Sequence, residues 1–492
     1  MIPLVFRKRL QQCREAGYVN TRQKIGLILG PLLFAVIYFF PAITGLGDAP
    51  RAVLAVTLWV AAWWVTEAMP IPATSLMPIF LLPIAGGTDE RTATMAYADP
   101  IVFMYMGGFT IALAIQKWNL HKRIAMFILS YVGTGSQRII LGVIIATAGL
   151  SMWISNAATA LMMLPIALAL IEEIKEKEFF DEASLHRFAK SLLLTVAYAA
   201  SIGGLATIIG SVPNAVFVAV AANSLDRTVT FFDWFLFGFP LTILLLTGMY
   251  FYITKIQFKV KDQKEISSDF ARKQLEKLGP MSYEEKAVLT VFSVVGLLWM
   301  SSGFLPEAYT LSDTSISMIG ATSMFLFPAR KEKGGLMIWK DMRNLPWGIL
   351  LLFGGGLSLA AAFESSNLTE WFGELLQGLE VLPFIVILIA LAAIVLFMTE
   401  IMSNTAVSNM LIPVSIGLAL GIGVDPYSIM GIVALTASCA FMLPISTPPN
   451  AAVFSSDYLT IEDMVKAGFW MNIMAILVIV LFVYFWQPIV LT

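Results

Sequence analysis

Charge is scarce in this chain. Of its 492 residues only 13% are Asp, Glu, Lys or Arg, while 58% are hydrophobic, and mean hydropathy is +0.81. Soluble proteins carry about 25% charged and about 45–50% apolar residues. A globule this poor in charge has too little polar surface to face water, and disorder is excluded because disordered chains are polar. The composition is that of an integral protein crossing a lipid bilayer many times. Cysteine is nearly absent. Cys13 sits in a basic N-terminal stretch and Cys439 in an apolar run, so no disulfide or metal framework is expected. Histidine is equally rare, and His121 and His186 both lie in charged stretches, which argues against an intramembrane histidine relay. A cleavable signal peptide is not expected, because residues 1–24 form a polar arm leading into a full-length apolar run. The net charge of −2 says little. In a membrane protein the placement of charges matters more than their sum.

A membrane-spanning helix needs about 20 apolar residues. Eleven stretches qualify: 25–43, 51–69, 70–86, 100–118, 188–224, 232–255, 287–304, 311–328, 346–363, 424–457 and 466–489. Of these, 188–224 and 424–457 are too long for one smooth helix and contain Pro-Asn breaks. Two more apolar stretches, 137–170 and 384–418, are interrupted by small polar residues and read as re-entrant hairpins. The expected architecture is an all-α polytopic membrane protein with eleven transmembrane helices and two hairpins. With a cytoplasmic N-terminus, the inner segments 1–24, 117–138, 171–190, 255–286, 329–343 and 458–466 hold 28 of the 31 Lys and Arg. Only Arg51, Arg91 and Arg227 fall elsewhere. The 364–380 loop has four Glu and no base, as suits an outer loop, and the C-terminus is expected outside.

The two halves repeat each other. Gly107-Gly108-Phe109-Thr110, Asn119-Leu120, Ser155-Asn156-Ala157 and Pro165 match Gly355-Gly356-Leu357-Ser358, Asn367-Leu368, Ser403-Asn404-Thr405 and Pro413, all 248 residues apart. Further on, Gly210-Ser211-Val212-Pro213-Asn214-Ala215 matches Ser446-Thr447-Pro448-Pro449-Asn450-Ala451 at a spacing of 236. Each unit holds an odd number of spans, so the second copy is inverted. Residues 51–255 and 287–489 are the expected inverted repeats, 1–24 a cytoplasmic basic arm, 25–43 an accessory transmembrane helix and 256–286 a cytoplasmic linker. Inverted repeats with broken helices meeting near the midplane are a transporter signature.

Four stretches place polar groups at hydrocarbon depth: Ser151–Ala157, Thr207–Asn214, Thr399–Thr405 and Ser446–Asn450. Irregular backbone survives there only where it lines a cavity or is buried in protein. Neutral hydroxyls, amides and carbonyls suit a small cation, and the helix N-termini at the same breaks suit an anionic group. A lone hydroxyl in a membrane helix commonly bonds its own backbone or a neighbouring helix instead. That reading holds for Ser151 or Thr399 alone and does not account for the whole constellation repeated in register. Glu400 either tunes cation binding or serves as a partner for a backbone or Trp N–H, and its repeat counterpart is Met152. Glu67 reads as a helix-end residue, and Trp59, Trp63 and Trp64 as span packing or an interface belt.

The paired hairpin motifs, together with Ser211-Val212-Pro213-Asn214-Ala215 and Ser446-Thr447-Pro448-Pro449-Asn450-Ala451, resemble the divalent anion/sodium symporter family, the group of INDY-type dicarboxylate and citrate carriers. The similarity covers the chain from about residue 25. It implies a homodimer with a scaffold domain and a moving, elevator-type transport domain. It implies a first sodium site at Ser151, Ser155, Asn156 and Gly210, and a second at Thr399, Met402 (backbone), Asn404, Ser446 and Pro448. It implies that Asn156, Ser211, Ser403, Asn404, Thr405 and Thr447 hold the substrate carboxylates. Two departures from the family pattern, Ala157 for Thr and Val212 for Pro, leave the substrate open.

The expected function is sodium-coupled symport of a C4 dicarboxylate such as succinate, fumarate or malate across the plasma membrane. Sodium is the co-transported ion, and neither a cofactor nor a nucleic-acid partner is expected. A citrate, tartrate or sulfate carrier, or a dicarboxylate exchanger, is the alternative within the family. Exchangers without sodium sites put basic side chains at the cation positions, where this chain has neutral oxygens. A non-transporting sensor is disfavoured by the repeat. An intramembrane enzyme is disfavoured by the lack of a nucleophile–base pair or metal ligands at depth.

Overall fold

The computed structural model describes residues 21–41, 45–132, 135–177, 179–261, 269–305 and 310–491. The first twenty residues of the basic arm and part of the 256–286 linker lie outside the described residues. What is described is helical, with short 3-10 turns, a π-helical turn at Tyr252–Gln257 and one isolated bridge between Pro328 and Gly335. Among the described residues, nine helices are long and apolar enough to cross a membrane, and five shorter apolar helices accompany them.

Two compact units are present, one formed by residues up to 97 with 351–368, the other by 98–350 with 369–492. In the smaller unit Thr21–Phe39 lies against Asp48–Thr66. Glycines permit this approach: a Cβ on Gly30 would come within 2.5 Å of the Trp59 ring. Trp63 Nε1 donates to Gly26 O at 2.9 Å, and Trp64 Nε1 to Ser75 Oγ at 3.0 Å, so these tryptophans serve helix packing. Glu67 caps the C-terminus of Asp48–Thr66 in the left-handed region, φ 51°. The stretch expected as a span at 70–86 is instead two short helices, Ile71–Thr74 and Met77–Ala85. Pro70, Pro72 and Pro78 withhold backbone donors, and the chain turns at Ser75-Leu76.

The larger unit is built around Glu182–Gly203, almost all of whose apolar length is buried. Ser136–Ser151 packs along it, followed by a tight turn and the return helix Asn156–Glu176. Phe384–Thr399 and Asn404–Gly421 form the second hairpin. Two helices are interrupted. Glu182–Gly203 passes through 3-10 turns at 204–206 and 208–210 before Val212–Leu225. Pro426–Ala437 breaks over 438–447 before Pro448–Phe454. A proline in the first turn restarts each helix, where its missing N–H costs nothing.

The local starts and stops repeat along the chain. Ser155 and Ser403 are the N-cap residues of the two return helices. Ser211 and Thr447 are the N-cap residues after the two breaks. Thr230 with Asp233, and Thr460 with Asp463, make full capping boxes at Phe231–Phe251 and Ile461–Phe485. Asn119 and Asn367 both turn the chain with positive φ, 57° and 59°, ahead of Leu120–Val132 and Leu368–Leu376. Lys117 pairs with Asp341 at 2.9 Å and Lys190 with Asp463 at 2.7 Å. His121 is buried, its Nδ1 3.2 Å from Ile115 O.

Candidate functional site

The turn of the first hairpin meets the first broken helix. Ser151 ends Ser136–Ser151 and is fully buried; its Oγ donates to Ala200 O at 2.6 Å. Asn156 opens the return helix, where its amide terminus lies 2.8 Å from Ser151 Oγ, 3.0 Å from Ala200 O and 3.2 Å from Gly210 O. With its nitrogen facing this set, the amide donates to all three. With its oxygen facing them, four oxygens converge with the single Ser151 hydroxyl proton among them, an arrangement that suits a cation. Gly210 is required for this approach, since a Cβ there would sit 2.6 Å from Gly204 O. Ser155 stays at the edge of the set, its Oγ accepting from Ala158 N at 3.4 Å.

The second hairpin repeats the arrangement. Thr399 Oγ1 lies 2.6 Å from Asn404 Oδ1 and 2.9 Å from Ala437 O. One hydroxyl proton thus faces two acceptors, so lone pairs converge here too. Met402, Ser446 and Pro448 make no hydrogen bond to this trio among the described residues. Met402 N continues the hairpin turn, donating to Met398 O. Ser446 Oγ donates to Leu443 O at 2.6 Å and accepts from Asn450 Nδ2 at 3.0 Å, while Pro448 opens its helix.

The breaks are braced alike. Asn214 Nδ2 donates to Gly204 O and Thr207 O at 2.9 and 2.8 Å; Asn450 Nδ2 donates to Ala440 O and Leu443 O at 3.2 and 3.1 Å. Every partner in the second set is 236 residues after its counterpart. Tyr105 adds hydroxyl contacts to Ile208 O and Ser211 O.

Of the residues assigned to the substrate, Ser403 and Thr405 are half-buried, and neither hydroxyl has a partner among the described residues. Asn156 and Asn404 stand at the N-termini of their helices, where backbone N–H groups favour an anionic group. Ser211 and Thr447 are committed elsewhere. Ser211 Oγ lies 2.7 Å from Ser438 Oγ, and Thr447 Oγ1 accepts from Asn450 N at 3.3 Å. Among the described residues no group of three or more His, Cys, Asp or Glu is placed to hold a metal ion. Both clusters are therefore of neutral oxygen.

A family profile described as the sodium:sulfate symporter transmembrane region matches residues 22–492. The chain belongs to the sodium:sulfate symporter family. This is the symporter family that the paired motifs resemble, a family of transporters and not of enzymes. Within it, the chain is 42% identical over 488 residues to the sodium-dependent dicarboxylate transporter SdcS of Staphylococcus saprophyticus, covering 97% of this chain and 94% of that protein. It is 39% identical over 487 residues to the protein of the same description from Staphylococcus aureus, covering 96% and 92%. Solved structures share its fold at low identity. The YdaH transporter of Alcanivorax borkumensis matches with a TM-score of 0.57 at 13% identity, over 96% of this chain and 99% of that one. MtrF of Neisseria gonorrhoeae matches with 0.55 at 11%, over 96% of each chain.

Sequence reasoning missed the carbonyls of Ala200 and Ala437, which belong to the two oxygen clusters. Only side chains carry identity, so a backbone ligand leaves no mark. The signal was indirect, in the Ala200-Ser201 and Ala437-Ser438 pairs just ahead of the breaks. Asn472, which contacts Glu400 from the last long helix, lay outside every motif.

Proposed function

We propose that this protein couples inward movement of sodium to uptake of a C4 dicarboxylate across the plasma membrane. One observation carries the reading: two sets of neutral oxygens converge at equivalent hairpin turns, each beside the N-terminus of a long helix. Ser151, Asn156 and Gly210 with Ala200 O would take one sodium ion, with Ser155 adjoining. Thr399 and Asn404 with Ala437 O would take another, with Met402, Ser446 and Pro448 adjoining. Sodium would turn the Asn156 amide oxygen inward, leaving its nitrogen for a substrate carboxylate. Ser403 and Thr405 would supply hydroxyls that have no partner among the described residues, while Ser211 and Thr447 would join only if their present bonds exchange. Cations beside the dianion lower the cost of burying it. More than two sodium ions per dianion would make transport electrogenic.

The dicarboxylate choice is supported by the description of the staphylococcal relatives. The matching caps and braces support two inverted repeats over 51–255 and 287–489, and the Lys and Arg distribution supports a cytoplasmic N-terminus and an outer C-terminus. The homodimer and the elevator-type movement rest on the family resemblance. Uptake of labelled succinate by proteoliposomes, with and without an inward sodium gradient, tests the central claim. Gradient-dependent uptake is expected; equal uptake in both conditions overturns the coupling. Competition by unlabelled malate, citrate, tartrate and sulfate then identifies the cargo.

A further inference from the structure

Glu400 is almost fully buried, at the end of Phe384–Thr399 and one residue from Thr399. A carboxylate at such depth is costly unless it is fully engaged. Its Oε1 accepts from Phe441 N at 2.8 Å, Met442 N at 2.9 Å and Asn472 Nδ2 at 2.7 Å, and its Oε2 from Leu443 N at 3.1 Å. One side chain therefore joins the hairpin turn, the break at 438–447 and the last long helix. The three consecutive N–H groups form a concave donor set that a single carboxylate fills.

The first half makes the same junction with the polarity reversed. Position 152 is the counterpart of 400, and position 207 that of 443. There the side chain belongs to the break: Thr207 Oγ1 donates to Met152 O. In the second half the side chain belongs to the hairpin and accepts from the backbone of the break. The two clusters thus share a hydroxyl, an Asn amide and an alanine carbonyl, to which the first adds Gly210 O, and they differ in what holds them. Only the second depends on a carboxylate.

We propose that Glu400 is a positioning residue for sodium. By pinning residues 441–443 it fixes the chain that leaves Ala437, whose carbonyl completes the Thr399–Asn404 cluster, and so sets sodium affinity at that cluster alone. The proposal rests on the sodium assignment above.

The test compares wild type, Glu400→Gln, Met152→Leu and Asn472→Leu in two measurements, sodium-dependent thermal stabilisation (choline as the control cation) and the sodium dependence of succinate uptake. The amide of Glu400→Gln keeps the size but turns a donor against donors. Loss of one hydrogen bond to a charged group corresponds to about tenfold in affinity or more. Glu400→Gln should shift the half-effective sodium concentration upward by about that factor in both measurements. At saturating sodium, the succinate half-saturation should stay within about twofold of wild type. Met152→Leu should leave the sodium curve in place. If Glu400→Gln does not fold, Asn472→Leu, which removes one of four contacts, should move the curve the same way by less. A folded Glu400→Gln with the wild-type sodium curve, or Asn472→Leu lowering the rate at every sodium concentration without moving the curve, overturns this proposal alone. A wild-type protein that sodium does not stabilise overturns the sodium assignment with it.

Discussion

Single side chains here do two kinds of work, and hydrogen bonding separates them. Ser211 and Thr447 hold the broken helices together, whereas the Thr405 hydroxyl, in the first turn of its helix, has no partner among the described residues. A hydrogen bond to a charged group contributes about 1.5–3 kcal/mol. Thr405→Ala should therefore raise the succinate half-saturation by about ten- to a hundredfold while leaving thermal stability close to wild type. Uptake titrations and melting curves on the same preparation check this. A variant that melts early with unchanged affinity would assign Thr405 to the fold. Ala157 stands at the equivalent position of the first half, so under the proposed assignment the second half would supply the larger share of hydroxyl contacts.

At the level of elements, the interrupted helices and hairpins were legible because polar groups inside apolar runs have few explanations. Pro-Asn pairs marked both restarts, and Ser403 and Ser155 marked both return helices. Less visible was the stretch at 311–328, whose helix is only Asp313–Leu326, because hydropathy measures apolar length and not where hydrogen bonding stops. The short helices Leu120–Val132 and Leu368–Leu376 were also hidden, since a charged face interrupts the apolar run that identifies spans. Close packing left a fainter trace. Leu368–Leu376 meets Asn404–Gly421 through Gly373, Gly417 and Gly421, and a Cβ on Gly421 would lie 2.3 Å from Gly373 O. Small residues four apart allow such backbone contact in membranes. Gly421→Ala should destabilise the protein by about 1–3 kcal/mol, as overpacking does, and reduce uptake through the second hairpin. Gly149 faces open space, so Gly149→Ala should melt no earlier than wild type. Equal melting temperatures for the two variants would contradict this packing account.

For the whole molecule, scarcity of charge has two consequences of different kind. The clusters use neutral oxygen, so under the proposed assignment the transported ions themselves would balance charge at depth. The charges that remain fall mostly outside the apolar runs, and under the proposed topology the Lys and Arg would orient the chain. Lys340 is exposed in a loop with five basic residues, and Glu370 is exposed in a stretch with four Glu and no base. If Lys and Arg determine insertion, these positions face opposite compartments. A variant with Cys13 and Cys439 replaced by Ser, carrying a single cysteine at position 340 or 370, reads this directly. In right-side-out vesicles a membrane-impermeant maleimide should label Glu370→Cys, and Lys340→Cys only after permeabilisation. Reversed labelling would put the N-terminus outside and require inward transport to run from the opposite face of the same clusters. Labelling of both positions in intact vesicles would mean dual insertion, which a bias of 28 basic residues against three makes energetically unfavourable.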